Sequence, residues 1–115
     1  MQSETTETLS PRRVFRALAD ETRRDILRLL RNGPVTSGDI AAAFPSSWPT
    51  ISRHLAVLRD AGLVVTERHG QAIRYELNTS IFQDLIQHLM EWTRPTLRRT
   101  ARRSRKPGRA RPQEA

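Results

Sequence analysis

A chain of 115 residues, 37% hydrophobic and 28% charged, supports one small domain with polar extensions. It has no cysteine, which excludes disulfides, thiolate metal sites and a thiol redox switch. The net charge of +8 is unevenly placed: residues 94–115 hold nine Arg or Lys against the single acid Glu114, whereas residues 1–93 hold eleven of each sign and are neutral. No apolar run approaches the roughly 18 residues of a bilayer span, and MQSETTETLS lacks a basic-then-apolar signal pattern. The expected location is cytoplasmic, nucleoid-associated when bound to DNA.

Residues 1–10 are polar and uncapped, and are expected to form a disordered arm. From Pro11 to Leu18 the apolar Val14, Phe15 and Leu18 recur at helical spacing and predict a short first helix. Asp20 caps the next helix, with Glu21 in its first turn, where negative charge is favourable. That helix carries Ile26, Leu27, Leu29 and Leu30 and stops at Asn32-Gly33-Pro34. Thr36, with Asp39 three residues on, starts a third short helix. Ser47 caps a fourth, Pro49 falls in its first turn where a missing N–H does no harm, and Gly62 ends it.

The run LVVTERHGQAIRYEL reads as two strands around a turn at His69-Gly70-Gln71. A last helix follows in NTSIFQDLIQHLMEWTR, with Ser80 and Gln83 at capping-box spacing, and Pro95 ends or bends it. The domain is thus expected over residues 11–94, with 95–115 a basic tail that extends the helix and then becomes disordered. The order α-α-α-α-β-β-α predicts a mainly α fold with a β-hairpin wing, a winged helix-turn-helix. In that arrangement the helix over 47–61 enters the major groove and the wing over 64–77 reaches the flanking backbone.

On the fourth helix, Ile51, Leu55 and Leu58 share one face, and Pro49, Arg53 and Asp60 lie opposite. Arg53 is the candidate for a base contact, because its fork matches guanine O6 and N7; a solvated arginine is the plain alternative. Thr50 offers a hydroxyl to phosphate or a methyl to thymine. Ser46 and Ser47 sit at the helix N-terminus, where hydroxyls and free N–H groups favour phosphate, although Ser47 also serves as a cap. His54 borders the core face and is expected to pack or form a structural hydrogen bond. Trp48, on the shoulder of the helix, is expected to pack toward Phe44 and close the turn. In the hairpin, Arg68, His69 and Arg74 are spaced to project toward a DNA backbone, with Glu67 and Glu76 diluting that charge.

The last helix carries Ile81, Phe82, Leu85, Ile86, Leu89, Met90 and Trp92, about half its circumference. That exceeds the ~100° stripe a surface helix needs and points to a second buried surface in a homodimer, the alternative being a helix buried more deeply in a monomer, which so small a chain makes harder to arrange.

ALADETRRDIL, SRHLAVLRDAGLV and ERHGQAIRYEL together resemble the ArsR/SmtB-type winged-helix repressors, from about Arg13 to Trp92. VFRALADETRRDIL and ERHGQAIRYELNTSIFQDLI are most similar to the branch that contains a sporulation-delay autorepressor without a metal site. The resemblance implies an autorepressor that binds an inverted repeat as a dimer until a signal relieves it. It implies DNA contacts at Ser47, Thr50, Ser52 and Arg53, with Arg68 and Arg74 in the wing. It also implies pairing through the first and last helices, placing Val14, Phe15, Phe82, Ile86, Leu89 and Met90 at the dimer interface.

The family's Cys-x-Cys site has no counterpart in VTSGDIAAAF. Of its site on the last helix only His88 and Glu91 are present, with Tyr75 and Leu77 where the other ligands belong. No metal and no cofactor are therefore expected. Nor is an enzyme: there is no phosphate-binding glycine loop, and the three histidines lie on separate elements. The expected partners are double-stranded DNA and a second copy of the chain, with no membrane. Two other readings stay open, a winged-helix module that binds protein and a non-specific nucleic-acid binder driven by the Arg-rich tail.

Overall fold

The computed structural model describes residues 9–95. In chain order these form α1 (Pro11–Leu18), α2 (Glu21–Leu29) running into a 3-10 turn (Leu30–Asn32), β1 (Val35–Thr36) and α3 (Ser37–Ala42). Then come α4 (Trp48–Asp60), β2 (Val64–His69), β3 (Ala72–Leu77) and α5 (Thr79–Thr93). This is the winged helix expected, with one added element: β1 pairs with β3, giving an antiparallel sheet ordered β1-β3-β2. The Arg-rich tail and most of the arm lie outside the described residues. Leu9, assigned to the arm from sequence, packs half-buried against the core.

Three inferred caps form. Asp20 Oδ1 accepts from the Arg23 N–H at 3.0 Å, Thr36 Oγ1 from the Asp39 N–H at 3.1 Å, and Ser47 Oγ from the Thr50 N–H at 3.4 Å. Each satisfies a donor that a helix start leaves without an intrahelical partner. α1 begins without a side-chain cap, on Pro11, and its far end is closed from outside. Arg23 Nε donates to Ala17 O at 2.8 Å, Arg23 Nη2 to Arg16 O at 3.0 Å, and Arg24 Nη1 to Leu18 O at 2.8 Å. Two guanidiniums thus meet the carbonyl end of the helix, where both hydrogen bonding and the helix dipole favour positive charge.

α4 ends in a Schellman motif. Gly62, at φ +80°, takes the left-handed conformation that costs glycine least, the Leu63 N–H donates to Leu58 O at 3.1 Å, and the Gly62 N–H donates to Arg59 O at 2.9 Å. Leu58 and Leu63 are both fully buried beneath it. The wing then runs from Val64↔Leu77 to His69↔Ala72. Its loop is only Gly70-Gln71, so His69 is the last strand residue and not part of the turn; Gly70, at φ +64°, suits the twist of a two-residue hairpin.

The start of α5 departs from expectation. Its first residue is Thr79, and neither Ser80 nor the cap-position Asn78 makes a side-chain cap. Asn78 is used elsewhere: its N–H donates to Leu63 O at 3.0 Å and its Nδ2 to Gly62 O at 2.9 Å, tying the foot of the wing to the end of α4. At the other end the helix stops at Thr93, and Arg94 takes the extended backbone favoured before proline. A continuation past Pro95 lies outside the described residues. The core joins every layer, from Val14 and Ala17 through Ile26, Ile40, Ile51 and Leu55 to Tyr75, Ile81 and Leu85.

Candidate nucleic-acid interface

α4 buries Ile51, Leu55 and Leu58, at i, i+4 and i+7, and exposes Pro49, Ser52, Arg53, Arg59 and Asp60. Among the described residues the Arg53 guanidinium has no hydrogen-bond or ion-pair partner, so its five donors face solvent. Thr50 is half-buried, Ser46 is half-buried in the turn before the helix, and Ser47 is exposed.

The first turn of α4 is narrower in donors than its sequence suggests. Pro49 has no N–H, and the Thr50 N–H is taken by Ser47, leaving that of Trp48 for an outside acceptor. Ser47 also donates its hydroxyl to Thr50 Oγ1 at 3.1 Å. Thr50 therefore accepts inside the protein and keeps its own O–H to donate outward. Ser47 is a cap first, and it orients the Thr50 hydroxyl. Trp48 is 51% exposed and forms no ring pair with Phe44 among the described residues; Phe44 packs against the core without it.

His54 is structural. Its side chain is 16% exposed, its Nδ1 lies 3.2 Å from Arg23 Nη1, and its Nε2 lies 4.0 Å from Asp20 Oδ1. A guanidinium can only donate, so Nδ1 is the accepting nitrogen of this bond and Nε2 is the one that faces Asp20. The Asp20 carboxyl is held below its ordinary range, first by the Arg23 backbone N–H and, against the opposing effect of burial, by the positive charge of Arg23. Local periodicity turned His54 toward the core face but named none of its partners. The other hint is a pair of arginines, Arg23 and Arg24, placed just after a helix that ends without a glycine.

The two wing arginines are on opposite faces. Strand alternation and register put Glu67, His69 and Arg74 on one side of the hairpin and Arg68 on the other, with Ile73 and Tyr75. Arg74 is half-buried, and its Nη1 lies 3.1 Å from His69 Nε2 and 3.3 Å from Nδ1. Glu67 Oε2 is in turn 3.5 Å from His69 Nε2. Arg74 is thus engaged within the wing, whereas Arg68 is exposed and has no side-chain partner among the described residues. Sequence spacing did not separate them.

The apolar positions of α1 and α5 also divide. Val14 is fully buried inside the protomer and offers no surface to a partner, which corrects its assignment to an interface. Phe15 and Phe82 are half-buried, and Ile86, Leu89 and Met90 are exposed at 58%, 36% and 50%. Together the α5 residues form a stripe beside the one that buries Ile81 and Leu85. Trp92 of α5 packs at a tilt against Phe15 of α1, with ring centroids 5.9 Å apart, and meets the His88 ring edge-on at 5.6 Å. Among the described residues no three His, Cys, Asp or Glu come together as a metal cluster, and no helix is long and apolar enough to cross a membrane.

Comparison with known proteins agrees with this geometry. The family model described as bacterial regulatory protein, arsR family, matches residues 20–66, from the Asp20 cap through α4 into β2. The chain is 47% identical over 79 residues to the transcriptional repressor SdpR of Bacillus subtilis, covering 69% of this chain and 88% of that protein. It is 36% identical over 109 residues to the arsenic resistance transcriptional regulator ArsR1 of Pseudomonas putida, covering 88% and 85%. An ArsR-like transcriptional regulator from Rhodococcus sp. RHA1 superposes with a TM-score of 0.66 at 28% identity, over 81% of this chain and 84% of that one. A capped helix exposing an arginine that has no partner among the described residues, followed by a β-hairpin wing, in a chain that shares most of its length with these regulators, places it in the ArsR family of bacterial regulatory proteins: a winged helix-turn-helix transcriptional regulator, and not an enzyme.

Proposed function

We propose that this chain is a homodimeric repressor that seats α4 of each subunit in successive major grooves of an inverted-repeat operator, most simply one upstream of its own gene. The observation that carries this is the exposed Arg53, unpaired among the described residues, on a helix held at both ends by Ser47 and Gly62. Arg53 reads guanine with its fork, Ser52 lies beside it, and the Thr50 hydroxyl donates to phosphate. Arg68 meets the flanking backbone from the wing, and Arg74 supports the wing from within. The exposed stripe of Phe82, Ile86, Leu89 and Met90, continued by Phe15, is the subunit interface, an isologous contact that matches the symmetry of a palindromic site.

Relatives named for arsenic resistance share the fold, but a chain without cysteine has no thiolate to offer a soft metalloid. Derepression is therefore assigned to a signal other than thiolate coordination. The test is selection of bound DNA from a random library, followed by footprinting with excess competitor. A protected inverted repeat is expected. Equal protection of all sequences would leave only the non-specific reading, and no binding at all would favour a protein partner.

A further inference from the structure

α4 must present Arg53 at a fixed angle, yet its neighbour in sequence, His54, points the other way into a cluster that never reaches the exposed face. That cluster centres on one guanidinium. Arg23 spends Nε on Ala17 O at 2.8 Å, Nη2 on Arg16 O at 3.0 Å and Nη1 on His54 Nδ1 at 3.2 Å. The first two bonds grip the last turn of α1, and the third grips the middle of α4. Asp20, whose backbone and side chain start α2, stands 4.0 Å from the far nitrogen of the same imidazole. Three helices thus meet at one arginine and one histidine. α1 in turn carries Phe15, which packs at a tilt against Trp92 of α5, so the same joint connects the apolar stripe to the reading helix.

We infer that Arg23 and His54 are positioning residues for DNA recognition: they touch no DNA, and they set the orientation of α4 by locking it to the carbonyl end of α1. This rests on the reading of α4 as the DNA-reading helix. A planar fork suits the task because its three donor directions are fixed relative to one another; a lysine ammonium on a flexible stem does not reproduce them. The bond to His54 is charge-assisted and largely shielded from water, so its loss is felt as a change of angle as well as of stability. A rotation of α4 moves Arg53 directly, because the two side chains leave adjacent residues.

The experiment compares wild type with His54→Leu, His54→Asn and Arg23→Lys on a selected operator and on random DNA, at a temperature where each variant is fully folded by circular dichroism. His54→Leu is expected to weaken operator binding roughly tenfold, the size of one charge-assisted hydrogen bond, and to leave random-DNA affinity unchanged. His54→Asn places an acceptor near the position of Nδ1 and is expected to recover most of that loss, while Arg23→Lys resembles His54→Leu. Wild-type affinity in His54→Leu, no recovery in His54→Asn, or a parallel loss on operator and random DNA would each overturn the assignment. A wild-type protein that selects no operator is a different failure: it removes the proposed function, and the positioning role with it.

Discussion

Ile86→Ala tests the proposed dimer surface, because Ile86 is 58% exposed in the protomer and its remaining surface is available only to a partner. The substitution removes three carbons. At about 0.8 kcal/mol per buried CH₂, covering the exposed fraction contributes about 1.4 kcal/mol per subunit. A two-fold interface counts the residue twice, so the dimer is weakened by about 2.8 kcal/mol, roughly a hundredfold in dimer Kd. The protomer itself loses only about 1 kcal/mol, from the fraction of the side chain already covered. Sedimentation velocity across a concentration series reads the dimer Kd, and thermal unfolding at fixed concentration reads the protomer. Gln87→Ala, exposed on the other side of α5, is the control and is expected to change neither. A dimer Kd for Ile86→Ala within about threefold of wild type would refute the placement of the interface on this stripe.

Other outcomes follow from the same geometry. Arg53→Ala should cost about 1–3 kcal/mol on the operator and relax selectivity at one base pair, as read by binding to single-base operator variants. Arg68→Ala should weaken operator and random DNA alike and lower the slope of log K against log salt by about one contact; Arg74→Ala should change that slope less, because its guanidinium is already engaged by His69. Asp20→Ala should cost about 1 kcal/mol at neutral pH through the lost cap. Because the folded carboxyl is held below its ordinary range, its contribution is present above the unfolded carboxylate pKa and disappears as pH falls through the lower folded value. Denaturation in that acid range should therefore show a smaller pH dependence in Asp20→Ala than in wild type. Deleting residues 98–115 should weaken specific and random DNA binding together and flatten the salt dependence, measured by titration at several ionic strengths.

Local chemistry made much of this protein legible before any coordinates. A serine, threonine or aspartate can cap only the N–H groups within its reach, so Asp20, Thr36 and Ser47 mark their helix starts in the sequence itself. Glycine is the residue for which a left-handed backbone costs least, so Gly62 and Gly70 mark an end and a turn. The 3.6-residue period turned Ile51, Leu55 and Leu58 inward and Arg53 outward, and it exposed the excess apolar width of α5. Each of these depends on neighbours within about two turns of chain.

What the sequence could not decide depends on residues far apart along it. β1 is two residues long, too short to carry a strand pattern, and exists because Tyr75 and Arg74 pass beside it. Ser80 is spaced like a cap, but the helix already starts at Thr79, and the preceding Asn78 donates instead to Gly62 O, which is nearby only once the wing has folded back. Val14 and Phe15 are adjacent apolar residues on one helix, and only packing buries the first and leaves the second at the surface. Arg68 and Arg74 carry the same charge, and the register of two strands sends them to opposite faces. His54 and Arg23 are 31 residues apart, and no periodicity links them. Sequence by itself determined the helices, the hairpin, three of the caps and the outward face of α4; the tertiary fold decided which polar side chains stay free at the surface and which are engaged within the domain.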